Sequence, residues 1–239
     1  MIPSFDGQVA LITGGGKGIG FGIASALAKL GADVAIAGRH KQTLEHAVST
    51  LGGRGFAVSC DVRDENSVRD CIAAVVERAG RLDILVNNAG IGLLQTPLSE
   101  TQSDAWLDVI DTNLNGAFYA AKAAWPHLVS AKGQILNVSS IAGTQGFSGA
   151  SAYCASKFGL LGLTEVLKIE GAQVGVRVLA ICPGPVDTDI WGSWATGNER
   201  SRMMRPDDLA RTAISMLAAP RNTALSPLVV TNAVSPWNE

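Results

Sequence analysis

Short apolar runs of four or five residues alternate along the chain with longer stretches whose apolar residues recur every three or four positions. The runs are Val9–Thr13, Asp33–Ala37, Gly55–Ser59, Ile84–Asn87, Gln134–Val138, Arg177–Ile181 and Leu228–Thr231. Most carry little polar alternation, as expected of strands covered on both faces. Helical spacing between them predicts segments near Ile19–Leu30, Lys41–Leu51, Asn66–Ala79, Asp104–Val129, Ala152–Gln173 and Pro206–Leu217. Strands alternating with helices build βαβ units. The expected fold is therefore α/β: a doubly wound parallel sheet of the Rossmann type, helices on both faces, in one domain spanning residues 1–239.

One long stretch, 187–205, has no clear period and holds Trp191, Trp194, Met203 and Met204. It follows the end of a strand, where open α/β sheets bind their ligands. Long aperiodic loops in compact domains often cover such sites, so it is expected to be a substrate lid.

Composition narrows the function classes. With 47% hydrophobic and 17% charged residues among 239, the chain has material for a large core. A formal net charge of −2 offers no basic field for nucleic acid. No apolar run is long enough to cross a bilayer, and MIPSFDGQ has no basic segment ahead of an apolar one. A cytoplasmic protein is expected. Cys60, Cys71, Cys154 and Cys182 lack CxxC spacing and read as reduced core thiols; His40, His46 and His127 are scattered, so no metal is expected.

Candidate chemistry begins after the first strand, where Thr13-Gly14-Gly15-Gly16-Lys17-Gly18-Ile19-Gly20 leads directly into a helical pattern. Glycines permit a tight turn and close backbone approach, and a helix amino terminus presents unpaired N–H groups to a pyrophosphate. The spacing Gly14-x3-Gly18-x-Gly20 departs from GxGxxG, so its place between strand and helix carries the dinucleotide reading. At the end of the second strand, a carboxylate would bind an adenosine 2′-hydroxyl. The chain instead has Gly38-Arg39-His40-Lys41. Arg39 suits a 2′-phosphate through charge-assisted bonds, and Lys17 is expected to reach the same phosphate, which favours NADP(H) over NAD(H).

Tyr153 and Lys157 stand four apart at the start of a helical pattern and so share one face. Bringing a phenol from a pKa of about 10 to near neutrality requires roughly 4 kcal/mol. One cation about 4 Å away supplies that much at an effective dielectric of ~20. The spacing alone is weak, because an exposed helix pair looks the same.

The ordered set of motifs is more specific. TGGGKGIG, Cys60-Asp61-Val62, Asn87-Asn88-Ala89-Gly90, Asn113, Asn137-Val-Ser-Ser140, Tyr153-Cys-Ala-Ser-Lys157 and Pro183-Gly-Pro-Val-Asp-Thr188 follow one another in the chain. From Gly7 to about Thr188 it thereby resembles the short-chain dehydrogenase/reductase family. The resemblance implies hydride transfer between a nicotinamide and a carbonyl or secondary alcohol. It assigns Tyr153 as general acid/base, Ser140 to the substrate oxygen, Lys157 to the tyrosine and the nicotinamide ribose, and Asn113 to a relay water. It also implies that Asp61 and Val62 line the adenine, that Asn88, Ala89 and Gly90 line its ribose, and that Pro183, Gly184, Val186 and Thr188 line the nicotinamide end.

Leu93, Leu94, Gln95, Gln145, Phe147, Pro185, Trp191 and Trp194 are the implied substrate pocket, an apolar set suited to a hydrophobic ketone or alcohol. A homo-oligomer, tetramer or dimer, is implied too. Reduction of a 3-oxoacyl group on acyl carrier protein is the alternative, with Lys132, Arg200, Arg202 and Arg205 only a faint docking surface. A cofactor-sensing protein without catalysis is the alternative of another class. The chain departs from the family in its last residues, Leu228-Val-Val-Thr-Asn-Ala-Val-Ser-Pro-Trp237-Asn-Glu.

Overall fold

The computed structural model describes residues 3–192 and 195–237. Seven strands form one parallel sheet: β1 (Val9–Thr13), β2 (Asp33–Gly38), β3 (Gly55–Ser59), β4 (Ile84–Asn87), β5 (Gln134–Val138), β6 (Arg177–Pro183) and β7 (Leu228–Val230). Their order is β3-β2-β1-β4-β5-β6-β7. Direction of travel reverses between β1 and β4, which opens a crevice at the carboxyl ends of these two strands. Strand positions agree with the sequence pattern to within two residues.

The helices are α1 (Gly18–Lys29), α2 (Lys41–Ser49), α3 (Glu65–Ala79), α4 (Ser103–Ile110), α5 (Gly116–Ala131), α6 (Ser151–Val174), α7 (Gly197–Arg202) and α8 (Pro206–Ala218). Side chains alternate across a strand, and both faces of the inner strands are dry. Ile12, Ile36, Val86 and Leu136 meet Ile23 and Leu27 of α1 and Leu209 and Leu217 of α8. On the opposite face Leu11, Ala35, Leu85 and Ile135 meet Val68 and Ile72 of α3 and Ala124 and Leu128 of α5. Double coverage explains the continuous apolar strands. Each fully buried Leu or Ile contributes about 1.5–3 kcal/mol.

The periodicity from 104 to 129 predicts one helix, and the structure divides it. A π-helical turn, Asp111–Asn115, separates α4 from α5. Such a turn admits one extra residue per turn and is common at functional sites. Asn113 sits in it, 1% exposed, and its side chain anchors the turn to neighbouring elements. Stretch 187–205 is also more regular than its sequence suggests. It contains a 3-10 turn, Asp189–Trp191, and α7, whose start is held by a capping box of Thr196 and Glu199.

Candidate active site

The glycine turn lies at the crevice between β1 and β4. Gly14 and Gly18 have φ of +62° and +55°, the left-handed region that disfavours side chains. A Cβ on Gly20 would fall 2.4 Å from Asn88 Nδ2 and 2.6 Å from the Gly14 carbonyl oxygen. The Asn88 amide donates to the carbonyls of Thr13, at 2.9 Å, and Gly14, at 3.2 Å. Thr13 Oγ1 accepts from the N–H groups of Asn88 and Ala89. The Asn88 side chain therefore braces the turn, and packing against it requires Gly20 independently of any ligand. Lys17 precedes helix α1 without capping it by its side chain, and the first turn carries no acid. Its leading N–H groups suit an anion, so the turn fits a dinucleotide pyrophosphate.

Around the expected adenosine end, Arg39 is exposed after β2, and no carboxylate stands beside it in the sequence. Asp61 is gripped by Arg63, with Nη2 donating to Oδ2 at 2.8 Å, and Arg63 also reaches Asp108 at 3.1 Å. Arg63 first, with a smaller contribution from Arg39, holds the Asp61 carboxyl below the ordinary range. Val62 is 8% exposed and packs where a Cβ on Gly116 would fall, 2.8 Å from the Val62 Cβ. Lys17 has a partner within the chain. Its Nζ donates to Asp189 Oδ2 at 2.6 Å, tying the glycine turn to stretch 187–205. Because both side chains are mostly exposed, this pair is worth at most about 1 kcal/mol.

Tyr153 and Lys157 occupy the first turns of α6. The Lys157 Nζ lies 5.7 Å from the centre of the tyrosine ring and donates to the Val138 carbonyl at 2.9 Å. A Cβ on Gly90 would fall 3.6 Å from the same Nζ, so the backbone after β4 also approaches it. Lys157 is 4% exposed, and burial brings its pKa down to about 8, partly offset by Cys182. Burial also pushes the Tyr153 phenol above its ordinary value, with a bond to Ser140 opposing this. For the phenol, desolvation by burial is the largest of these effects.

Ser140 follows β5, and its Oγ accepts from Ala142 N at 3.1 Å while capping the 3-10 turn Ile141–Gly143. Neighbouring Ser139 donates to the Lys157 carbonyl at 3.2 Å, fixing β5 against α6. The Asn113 Oδ1 accepts from Ile91 N at 2.8 Å. Its Nδ2 donates to Ile91 O at 2.9 Å and to Ser156 Oγ at 3.0 Å. Ser156 Oγ in turn donates to the Tyr153 carbonyl at 2.8 Å. Both amide hydrogens of Asn113 are thus used in joining the π-helical turn, the loop after β4 and α6. Any water at Asn113 has to bond to another of its atoms.

A cavity of about 260 Å³ opens beside these groups. Ser140 and Tyr153 border it, as do Ile19, Pro183, Gly184, Val186 and Thr188, so the expected acid/base and nicotinamide-side residues share one space. Of the expected substrate lining, Leu94, Gln95, Phe147, Pro185 and Trp191 are present; Leu93 and Gln145 are not. Trp194 lies outside the described residues. Gln95 has a φ of +59°, an uncommon conformation for a side-chain-bearing residue. Sequence reasoning missed Ile141, Ala142, Ser148, Ala150, Ile190 and Trp237. For Trp237, which sits in a short polar tail, the sequence carries no periodic signal. Among the described residues, no group of three His, Cys, Asp or Glu is placed to hold a metal, and no helix is long and apolar enough to cross a membrane.

Comparison with known proteins agrees with this geometry. Residues 8–199 match the family model described as short chain dehydrogenase. A 3beta-hydroxysteroid dehydrogenase of Mediterraneibacter gnavus is 38% identical over 189 residues, 78% of this chain and 68% of that protein. A meso-2,3-butanediol dehydrogenase of Serratia marcescens is 34% identical over 215 residues, 86% of this chain and 85% of that protein. An alcohol dehydrogenase of the archaeon Thermococcus sibiricus, solved with 5-hydroxy-NADP, superposes with a TM-score of 0.88 at 29% identity, covering 95% of this chain and 97% of that one. The chain belongs to the short-chain dehydrogenase/reductase family, NAD(P)-using oxidoreductases that act on CH–OH and C=O groups.

Proposed function

We propose that the protein is an NADP(H)-dependent oxidoreductase that reduces an apolar ketone, or oxidises the matching secondary alcohol, with Tyr153 as general acid and base. The observation that carries this reading is the shared cavity, in which Tyr153 and Ser140 face the residues assigned to the nicotinamide end. When bound, the nicotinamide supplies or accepts the hydride. During reduction, negative charge grows on the substrate oxygen, and donors aimed at that point stabilise it most. Ser140 would donate a hydrogen bond to this oxygen, and Tyr153 would deliver the proton. The raised pKa of Tyr153 keeps the phenol protonated through the neutral range, which suits reduction. Oxidation requires its phenolate and so gains from alkaline pH.

Lys157 would hold the nicotinamide ribose, and its place 5.7 Å from the tyrosine ring allows it to share in a proton relay with Asn113. Gly14, Gly16, Lys17, Gly18, Ile19 and Gly20 would take the pyrophosphate. Asp61, Val62, Asn88, Ala89 and Gly90 would flank the adenosine. Arg39 would bind the 2′-phosphate, and the solved relative bound to an NADP derivative supports that preference. Lys17 reaches the same phosphate only by leaving Asp189.

Residues 187–205 would act as a substrate lid on a single 1–239 domain. Exposed Phe118, Phe158, Val166 and Ile169 on α5 and α6 support assembly of copies through these helices, as a tetramer or dimer. Four free buried cysteines support a reducing, cytoplasmic setting. The Tyr153→Phe variant tests the central assignment. It should lose at least a hundredfold in kcat while binding NADPH within about threefold of wild type. Retention of more than a tenth of the activity removes Tyr153 from the acid/base role.

A further inference from the structure

The residues after β7 are where the chain departs from the family pattern, and they fold back over the cavity. Asn232 Nδ2 donates to the Arg202 carbonyl at 3.0 Å, fastening the start of this tail to the end of α7. Pro236 is buried. Trp237 meets Trp191 edge to face, with ring centres 5.5 Å apart and planes at 61°. Trp191 is itself fixed, since its Nε1 donates to the Val186 carbonyl at 2.7 Å. Both tryptophans border the cavity that holds Ser140 and Tyr153, with Leu94 and Phe147 among its other apolar walls. Trp237 is 42% exposed.

An aromatic wall discriminates by shape and charge distribution. A flat ring gains offset or edge contacts with indole beyond the area it buries, whereas a short alkyl chain gains area alone. We propose that Trp237 is a substrate-specificity residue: paired with Trp191, it forms the wall that selects ketones and secondary alcohols whose reacting carbon carries a flat apolar ring. The proposal rests on the oxidoreductase reading given above and names the substrate class for that site.

NADPH-dependent reduction of acetophenone and of 2-butanone is measured for wild type, Trp237→Ala and Trp237→Phe. In Trp237→Ala, the ratio of kcat/KM for acetophenone to that for 2-butanone should fall about tenfold. In Trp237→Phe it should stay within about threefold, because a smaller aromatic face remains. An unchanged ratio in Trp237→Ala, including a parallel loss on both ketones, overturns the proposal. A second measurement does not depend on turnover: saturation-transfer NMR of the acetophenone ring protons with NADP+-loaded protein. Signal in wild type that is lost in Trp237→Ala supports the contact. Equal signal in both, or none in wild type, overturns it. If wild type reduces neither ketone yet passes the NMR test, the ring contact stands and the proposed activity on these ketones is what fails.

Discussion

Replacing Lys157 by methionine removes a buried charge whose cost follows from the surroundings of its ammonium. Burial lowers the lysine pKa from 10.5 to about 8, and Nζ donates to the Val138 carbonyl at 2.9 Å. Because the folded value is depressed, the unfolded chain holds more protons between about pH 8 and 10.5, and wild type gains stability as pH rises through that window. At pH 7 the gap in pKa corresponds to a penalty of roughly 3 kcal/mol, and at pH 10 to about 1 kcal/mol. Methionine fills similar space but leaves the Val138 carbonyl unpaired, which costs about 1–3 kcal/mol at any pH. The difference at pH 7 is therefore small, and its pH dependence carries the information.

Urea unfolding of both proteins, followed by circular dichroism at pH 7, 8, 9 and 10, gives that dependence. Wild-type stability minus that of Lys157→Met should rise by about 2.5 kcal/mol from pH 7 to 10. The series stops there because Tyr153 acts with the opposite sign. Its raised pKa stabilises the neutral-phenol fold below pH 10, and that contribution is lost as pH climbs through the folded value. A difference constant to within about 0.5 kcal/mol would refute the reasoning that desolvation governs this lysine. The lowered value bears on function, since Lys157 is the group assigned to the ribose and the proton relay.

Two further outcomes test other parts of the site. Arg39→Ala should weaken NADPH about tenfold to a hundredfold by calorimetric titration and leave NADH within about threefold, because charge-assisted bonds are worth roughly 1.5–3 kcal/mol; equal weakening of both cofactors contradicts the 2′-phosphate assignment. Asn113→Ala should cost about 3 kcal/mol in urea unfolding, since it leaves both main-chain groups of Ile91 and the Ser156 hydroxyl without their partner in a buried place. A loss below about 1 kcal/mol would show that the π-helical turn holds without this side chain.

Much of this molecule was legible in the order of its residues. Strands buried on two sides must be apolar throughout, so Val9–Thr13 and the other inner strands stood out, and the alternation of strands with helical periods determined a doubly wound parallel sheet. The ordered motifs from the glycine turn to Thr188 determined the family. Periodicity is a local property, however, and the features it missed depend on partners distant in the chain. The π-helical turn at Asn113 follows from bonds to Ile91 and Ser156, 22 and 43 residues away. Lys17 pairs with Asp189, 172 residues on, a contact that no local spacing suggests. Spacing put Lys157 beside Tyr153, but whether the phenol rises or falls in pKa depends on how dry the pocket is. Burial is a product of tertiary packing, and here it raises the phenol. Trp237 reaches the cavity because the tail folds back against Trp191, a contact between two segments that no sequence period connects.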